Sequence, residues 1–296
     1  MDTATIKLPP DLEGPSLSQL AAAIVKTAKN GWPAKLTFDF STLSFIRPSG
    51  VAFLSNLIYW LEEKGTKVTL QVEGAKAAPI EFLDDSLFFE QHCGKKLNSS
   101  ASPRSTTRPL VRIAHKNSHE WLRTNFVPWL AERLEITKAS LHTIQVCISE
   151  LFNNIQDHTR YDIGCVFVQH FPNENRVICS ISDMGLGIPK KIREKMPNLS
   201  DSEAILKAVE PGFTTKSKPS NQGIGLDYLL NAVVIRNGGS VTIYSGSDYV
   251  KFFRRKNEMS HVKKIDAGFC PGTTIDLEFR TDTIENVPDE REDLEW

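Results

Sequence analysis

The sequence has no run of apolar residues approaching the ~18 that a membrane-spanning helix requires. Its opening stretch, MDTATIKLPPDLEG, has no basic segment leading into an apolar core. A cytoplasmic, non-secreted protein is expected, with no membrane partner. Cysteine is sparse: Cys93, Cys147, Cys165, Cys179 and Cys270 form an odd, scattered set without a C-x-x-C pair or a histidine at ligand spacing. That argues against a disulfide framework and a structural zinc, and fits a reducing compartment. An excess of charge of either sign is also missing. The formal net charge is -1, so no global field draws the chain to nucleic acid, and the short basic clusters at 190–195 and 252–256 read as solvated faces. No internal repeat is present.

What the chain does have is length and patterning. Its 296 residues, 40% of them hydrophobic, suffice for two domains. The first ninety alternate strand and helix signals in a β-α-β-α-β-α order, which indicates a small α/β domain over 1–94. Val51, Leu54, Leu57, Ile58 and Leu61 recur at helical spacing and predict one apolar face that packs on a sheet. Residues 95–107, KKLNSSASPRSTT, are almost without apolar side chains and read as a mobile linker. A second domain is expected over 108–281, followed by an acidic tail, 282–296, that frays.

In the second domain, helices are predicted over about 118–134, 137–158 and 226–236, the last stopped by Asn237-Gly238-Gly239. Strands are predicted at 109–114, 164–171, 176–182, 240–245, 249–254 and 273–279. Within the helix that contains ISELFNNIQDHT, Ile144, Ile148, Leu151 and Ile155 form an apolar seam. Glu150, Asn154 and His158 form a polar row about 100° away, at the rim of the buried face. Acid and amide groups at such a rim can reach a metal and phosphates, although an ordinary surface helix presents similar rows.

In RVICSISDMGLGIP, Val177, Cys179, Ile181 and Asp183 share one face by period-two alternation, so Asp183 points toward the apolar layer. An acid there needs a donor, and the exocyclic amino group of adenine is one. Gly185 and Gly187 allow a tight turn and close approach to a ligand, as a plain turn also would. Downstream, Thr214, Thr215, Lys216 and Lys218 precede Gly223-Ile224-Gly225, which opens a helix whose free N–H groups suit phosphate.

With these residues in order, 110–279 resembles the GHKL ATPase family of gyrase, the heat-shock chaperone, histidine kinases and MutL. ELFNNIQDH resembles its N-box, DMGLGI the first glycine box, GFTTKS with GIGL the lid and second glycine box, and PGTTIDLEF the closing strand. The resemblance implies a Bergerat α/β sandwich with a mixed, largely antiparallel sheet that binds ATP and Mg. Carried over by position, it implies that Glu150 orients or deprotonates the attacking water, Asn154 ligates Mg and Asp183 reads adenine. Asp157, Gly185, Gly187, Ile188 and Thr273 would join the ATP pocket. Thr214, Thr215, Lys216, Gly223, Ile224, Gly225 and Leu226 would form its lid and second glycine box. His158 either contacts the nucleotide or finishes the helix.

KLTFDFSTLSFIRPSGVAFLSNLIYWLEEKGTKVTLQV, within residues 3–92, resembles STAS domains, but reads Arg47-Pro48-Ser49-Gly50 where those carry Asp-Ser before the glycine. The resemblance makes Ser49 a candidate phosphoacceptor. As a helix N-cap the same serine has a purely structural role. Three functions follow: an ATPase switch acting on a protein partner through the STAS-like domain, a protein kinase acting on Ser49 or a partner, or a non-hydrolysing ATP-dependent switch. The region before the ATP module lacks histidine-bearing dimerisation helices, which disfavours a sensor histidine kinase. No long domain follows Phe279, which disfavours gyrase, MutL or chaperone machinery. A homodimer is left open.

Overall fold

The computed structural model describes residues 3–28, 31–158, 163–213, 225–265 and 268–288. The N-terminal part runs β1 (Thr3–Lys7), β2 (Asp11–Leu12), α1 (Pro15–Thr27), β3 (Lys35–Asp39), β4 (Phe45–Ile46), α2 (Pro48–Glu63), β5 (Lys67–Gln71), α3 (Ala77–Asp85) and α4 (Phe88–Cys93). Strands β1, β3 and β5 form a parallel sheet in that order. Parallel neighbours require crossovers, which α1 and α2 supply.

The rest begins with β6 (Thr107–Ala114), α5 (His115–Trp121), a wide helical turn at Leu122–Phe126 and α6 (Val127–Leu134). Then come α7 (His142–His158), β7 (Ile163–Phe171), β8 (Arg176–Asp183), α8 (Ile188–Arg193) and α9 (Asp201–Ala208). The chain continues with α10 (Gly225–Leu230), a second wide turn at Asn231–Arg236, β9 (Ser240–Gly246), β10 (Asp248–Arg255), β11 (Glu258–Lys264) and β12 (Cys270–Arg280). As predicted, Asn237-Gly238-Gly239 ends the helical run, with Gly238 at φ 76° and the Gly239 N–H donating to the Val233 carbonyl.

A seven-stranded sheet has the order β11-β10-β9-β12-β8-β7-β6. Every described pairing in it is antiparallel, so the mixed sheet expected from the resemblance is corrected. The reason lies in the connection from β8 to β9. Those strands point the same way but are not neighbours, and β12 enters between them, antiparallel to both.

Both faces of this sheet are covered. Val177, Cys179 and Ile181 pack with Ile144, Ile148, Leu151 and Ile155 of α7, and with Phe126 and Leu130, in one core. On the opposite face Cys165, Phe167, Tyr244 and Cys270 join Phe53, Leu57 and other residues of the N-terminal part in a second core. Helix α2 therefore lies between two sheets, and all of Pro48–Ile58 is buried rather than a single face. Gly50 serves this packing, because a Cβ there would run into the Leu12 carbonyl and lie 2.8 Å from Ile46 Cγ1.

Three local expectations change. The N-cap of α2 is Arg47, without a side-chain capping bond. Ser49 instead is the second residue of the helix, with its hydroxyl turned to the Asp276 carboxylate of β12. Residues 95–107 take a fixed path: the Leu97 and Asn98 N–H groups donate to Asp84, at 3.0 and 2.7 Å, and Trp129 Nε1 donates to the Ser105 carbonyl. The start of the acidic tail also folds back, with the Val287 N–H donating to Ser140 Oγ just before α7. Strand β11 was not foreseen. Lys256 and Asn257, at φ 51° and 64°, make the two-residue hairpin turn that leads into it, and lysine is an unusual residue for that conformation.

Candidate nucleotide site

The site is built on the C-terminal half of α7 and the loop after β8. Helix α7 buries its apolar seam as its spacing predicts, and the neighbouring Glu150 is carried in with it, 4% exposed. Asn154, one turn on, is half-buried. Its amide Nδ2 is shielded from water and has no hydrogen-bond partner among the described residues. A buried polar group left so costs on the order of 1–3 kcal/mol, which makes it a group waiting for a ligand. An amide can present either its oxygen or its nitrogen, so a cation or an acceptor would satisfy it.

Gly164 explains how α7 approaches β8. A Cβ at Gly164 would lie 2.7 Å from Ile155 Cδ1, and Gly164 is the cross-strand partner of Asp183. The helical turn that carries Asn154 and Ile155 is thus set against the strand position beside Asp183.

Asp183 ends β8, half-buried on the face predicted for it. Its Oδ1 accepts the Gly185 N–H at 2.6 Å. Burial pushes this carboxyl up to about 6, against the N–H groups of Gly185 and Thr273, which favour the ionised form. The loop then turns at Gly187, φ 79°, where a Cβ would come within 3.0 Å of Ser245 Oγ and 3.1 Å of the Gly272 carbonyl. Ser245 accepts the Ile188 N–H at 2.9 Å, donates to the Gly272 carbonyl at 3.0 Å and lies 3.2 Å from the Thr273 hydroxyl. Sequence reasoning missed this serine, since a small polar residue at a strand end carries no signal of its own.

Asp183, Gly185, Gly187, Ile188 and Thr273 are therefore gathered in one loop cluster, and Asn154 lies on the helical turn that Ile155 sets against Gly164. Gly225 opens α10 at φ 86°, and Leu226 packs half-buried on the helical core. Thr214, Thr215, Lys216, Gly223 and Ile224 lie outside the described residues, as do the side chains of Asp157 and His158. No group of three or more His, Cys, Asp or Glu among the described residues could hold a metal by itself. The side-chain oxygens of Glu150 and Asn154 are donors of the kind that hold Mg together with substrate phosphates. A cysteine nucleophile does not fit: burial pushes Cys147 and Cys270 up to about 12 and Cys165 up to about 11. No described helix is long and apolar enough to cross a membrane.

Residues 140–282 match the family model described as histidine kinase-, DNA gyrase B-, and HSP90-like ATPase. The match covers just under half of the chain and includes α7, the β8 loop and the four strands β9 to β12. No curated protein matches the chain. The segment is accordingly similar to ATP-binding domains of the GHKL type, and the antiparallel sheet backed by α7 agrees with that class.

Two raised carboxyls give the fold an unusual dependence on acid. Burial also pushes Asp276 up to about 6, opposed by hydrogen bonds from Ser180 and Ser49. Between about pH 4 and pH 6 the folded chain holds protons that the unfolded chain releases. Stability from these groups is therefore fully present at the low end and is lost as pH rises through 6. Each contributes on the order of 1–3 kcal/mol. Asp276→Asn should flatten the fall of the unfolding midpoint between about pH 4 and pH 6. An unchanged slope in chemical denaturation would remove Asp276 as its source.

Proposed function

We propose that residues 108–281 bind Mg-ATP and hydrolyse it slowly, and that closure of a lid over the nucleotide alters contacts with a protein partner. The observation that carries this reading is the unpartnered amide of Asn154, buried beside the Asp183 loop in a segment of the GHKL type. In this reading the Asp183 carboxylate accepts the adenine amino group, and the glycine loop lets the backbone meet the base closely. Asn154 holds Mg through its amide oxygen, and bound Mg supplies neutralisation of phosphate charge. Glu150 orients or deprotonates the attacking water from a setting with little competing solvent. By their place in the motifs, Thr214, Thr215, Lys216, Gly223 and Ile224 belong to the lid and Asp157 to the ATP pocket, while His158 either contacts the nucleotide or finishes the helix.

The N-terminal part, 1–94, acts in this scheme as a STAS-like coupling element, joined through 95–107. Its β-α-β-α-β order and the helix opening at Pro48-Ser49-Gly50 support that reading. Ser49 is 3% exposed and hydrogen-bonded to Asp276, so a phosphoacceptor role would require α2 to leave the sheet. Incubation with γ-labelled ATP and Mg tests the scheme. Label should be released as phosphate, and Asn154→Ala should weaken Mg-dependent ATP binding by about tenfold or more. Label retained on Ser49 or on an added partner would replace hydrolysis with kinase chemistry, and binding with neither would leave a pure switch.

A further inference from the structure

We propose that Asn56, on α2 of the N-terminal part, is a positioning residue for Asp183, so that the seating of that part on the sheet and the recognition of the base are coupled. This rests on the adenine-reading role given to Asp183 above.

The geometry begins with a length match. Ser49 and Asn56 are seven residues apart on α2, two turns along one face and about 10 Å of helix rise. On the sheet, Ser180 pairs with Asp276 and Asp183 pairs with Thr273. Those two pairs are three residues apart along β8, again about 10 Å. Helix and strand therefore come into contact twice at matching intervals. Ser49 meets Asp276, and Asn56 Nδ2 donates to the Asp183 carbonyl oxygen at 2.7 Å. Asn56 is 3% exposed, so water does not substitute for the amide.

The carbonyl that Asn56 holds has little room to move. On its other side a Cβ at Gly272 would fall on the Asp183 carbonyl oxygen, well inside van der Waals contact. Asp183 is thus fixed from behind by α2 and from beside by the β12 bulge, while its carboxyl is turned to the opposite face of the sheet. Because carbonyl and side chain share one Cα, a peptide rotation that breaks the Asn56 bond also re-aims the carboxyl. The helix itself is held: His92 Nε2 lies 2.9 Å from Ser55 Oγ, and that hydroxyl contacts Cys165 of β7. A side chain of the N-terminal part thereby reaches the back of the base-reading residue without touching nucleotide.

The test uses the full chain. Asn56→Asp places an acceptor against the carbonyl, and Asn56→Ser removes the reach of the amide. ATP and GTP affinities with Mg are measured for both, beside Ile58→Val, which thins the packing of the same helix without touching the loop. The coupling requires each Asn56 variant to lose about tenfold in ATP affinity and to narrow the ATP-over-GTP preference by a similar factor. Ile58→Val should lower the unfolding midpoint and keep the preference. Asn56 variants that lose stability but keep the preference overturn the proposal, provided Asp183→Asn loses it. If Asp183→Asn keeps the preference as well, the adenine reading fails and the proposal with it. Should neither Asn56 variant fold, amide exchange in the wild type decides: saturating Mg-ATP slows exchange across 48–63 if the coupling exists, and unchanged exchange there overturns it.

Discussion

Glu150→Gln should release phosphate from ATP about 100-fold or more slowly than the wild type, because a positioned general base typically contributes 10²–10⁴ to rate. ATP affinity should stay within about twofold, since the amide keeps the shape of the carboxylate and removes only its basicity. Glu150 is 4% exposed, so the substitution also replaces a buried acid by a neutral group and should not lower the unfolding midpoint. The pair of measurements separates two roles. A retained rate removes Glu150 as the base, and a lost affinity with a retained rate per bound ATP makes it a binding residue instead.

Gly272→Ala should be the most damaging single methyl addition at the site. Gly272 sits at φ 76°, which strains any residue with a Cβ, and its Cβ would fall on the Asp183 carbonyl oxygen. Left-handed strain of about 1–2 kcal/mol and overpacking of about 1–3 kcal/mol together give a loss of about 2–5 kcal/mol in urea denaturation. Gly65→Ala isolates the first component, because Gly65 has φ 81° but nothing within 4 Å of its would-be Cβ. It should cost about 1–2 kcal/mol. Equal losses at the two positions would show that the close approach at Gly272 carries no energy. Nucleotide binding should fall in Gly272→Ala alone, since only that methyl displaces Asp183.

The parts of this architecture that were legible in the sequence are those written in local periodicity. The seam Ile144, Ile148, Leu151 and Ile155 lies buried in the helical core, and Asp183 shares the face of Val177, Cys179 and Ile181. The helix stop at Gly238 and Gly239 was equally readable. What stayed hidden depends on residues far apart in the chain. The burial of Pro48–Ile58 on all sides could not be read from its own spacing, since β7, β8 and β12 of the second sheet cover it. Ser49 looked like a cap because its partner, Asp276, is more than two hundred residues away. Ser245 and Asn56 are ordinary polar residues until β8 and β12 bring the Gly187 loop and the Asp183 carbonyl to them. The linker composition misled for a related reason: Asp84 and Asp85, which hold it, belong to α3, with α4 in between.

Strand order has a consequence for how the chain assembles. β12 follows every other strand in sequence yet lies in the interior of the sheet, between β9 and β8. Until it is in place, β6 to β8 and β9 to β11 are two separate fragments, each with an unpaired edge, and α2 lacks part of the surface that buries it. Contacts of such long sequence separation form slowly, and open edges beside apolar helices favour association with other chains. A growing polypeptide therefore carries an incomplete N-terminal part until β12 has been made, and the strand that closes the sheet also brings Thr273 to Asp183. Completion of the fold and completion of the Asp183 loop are one event.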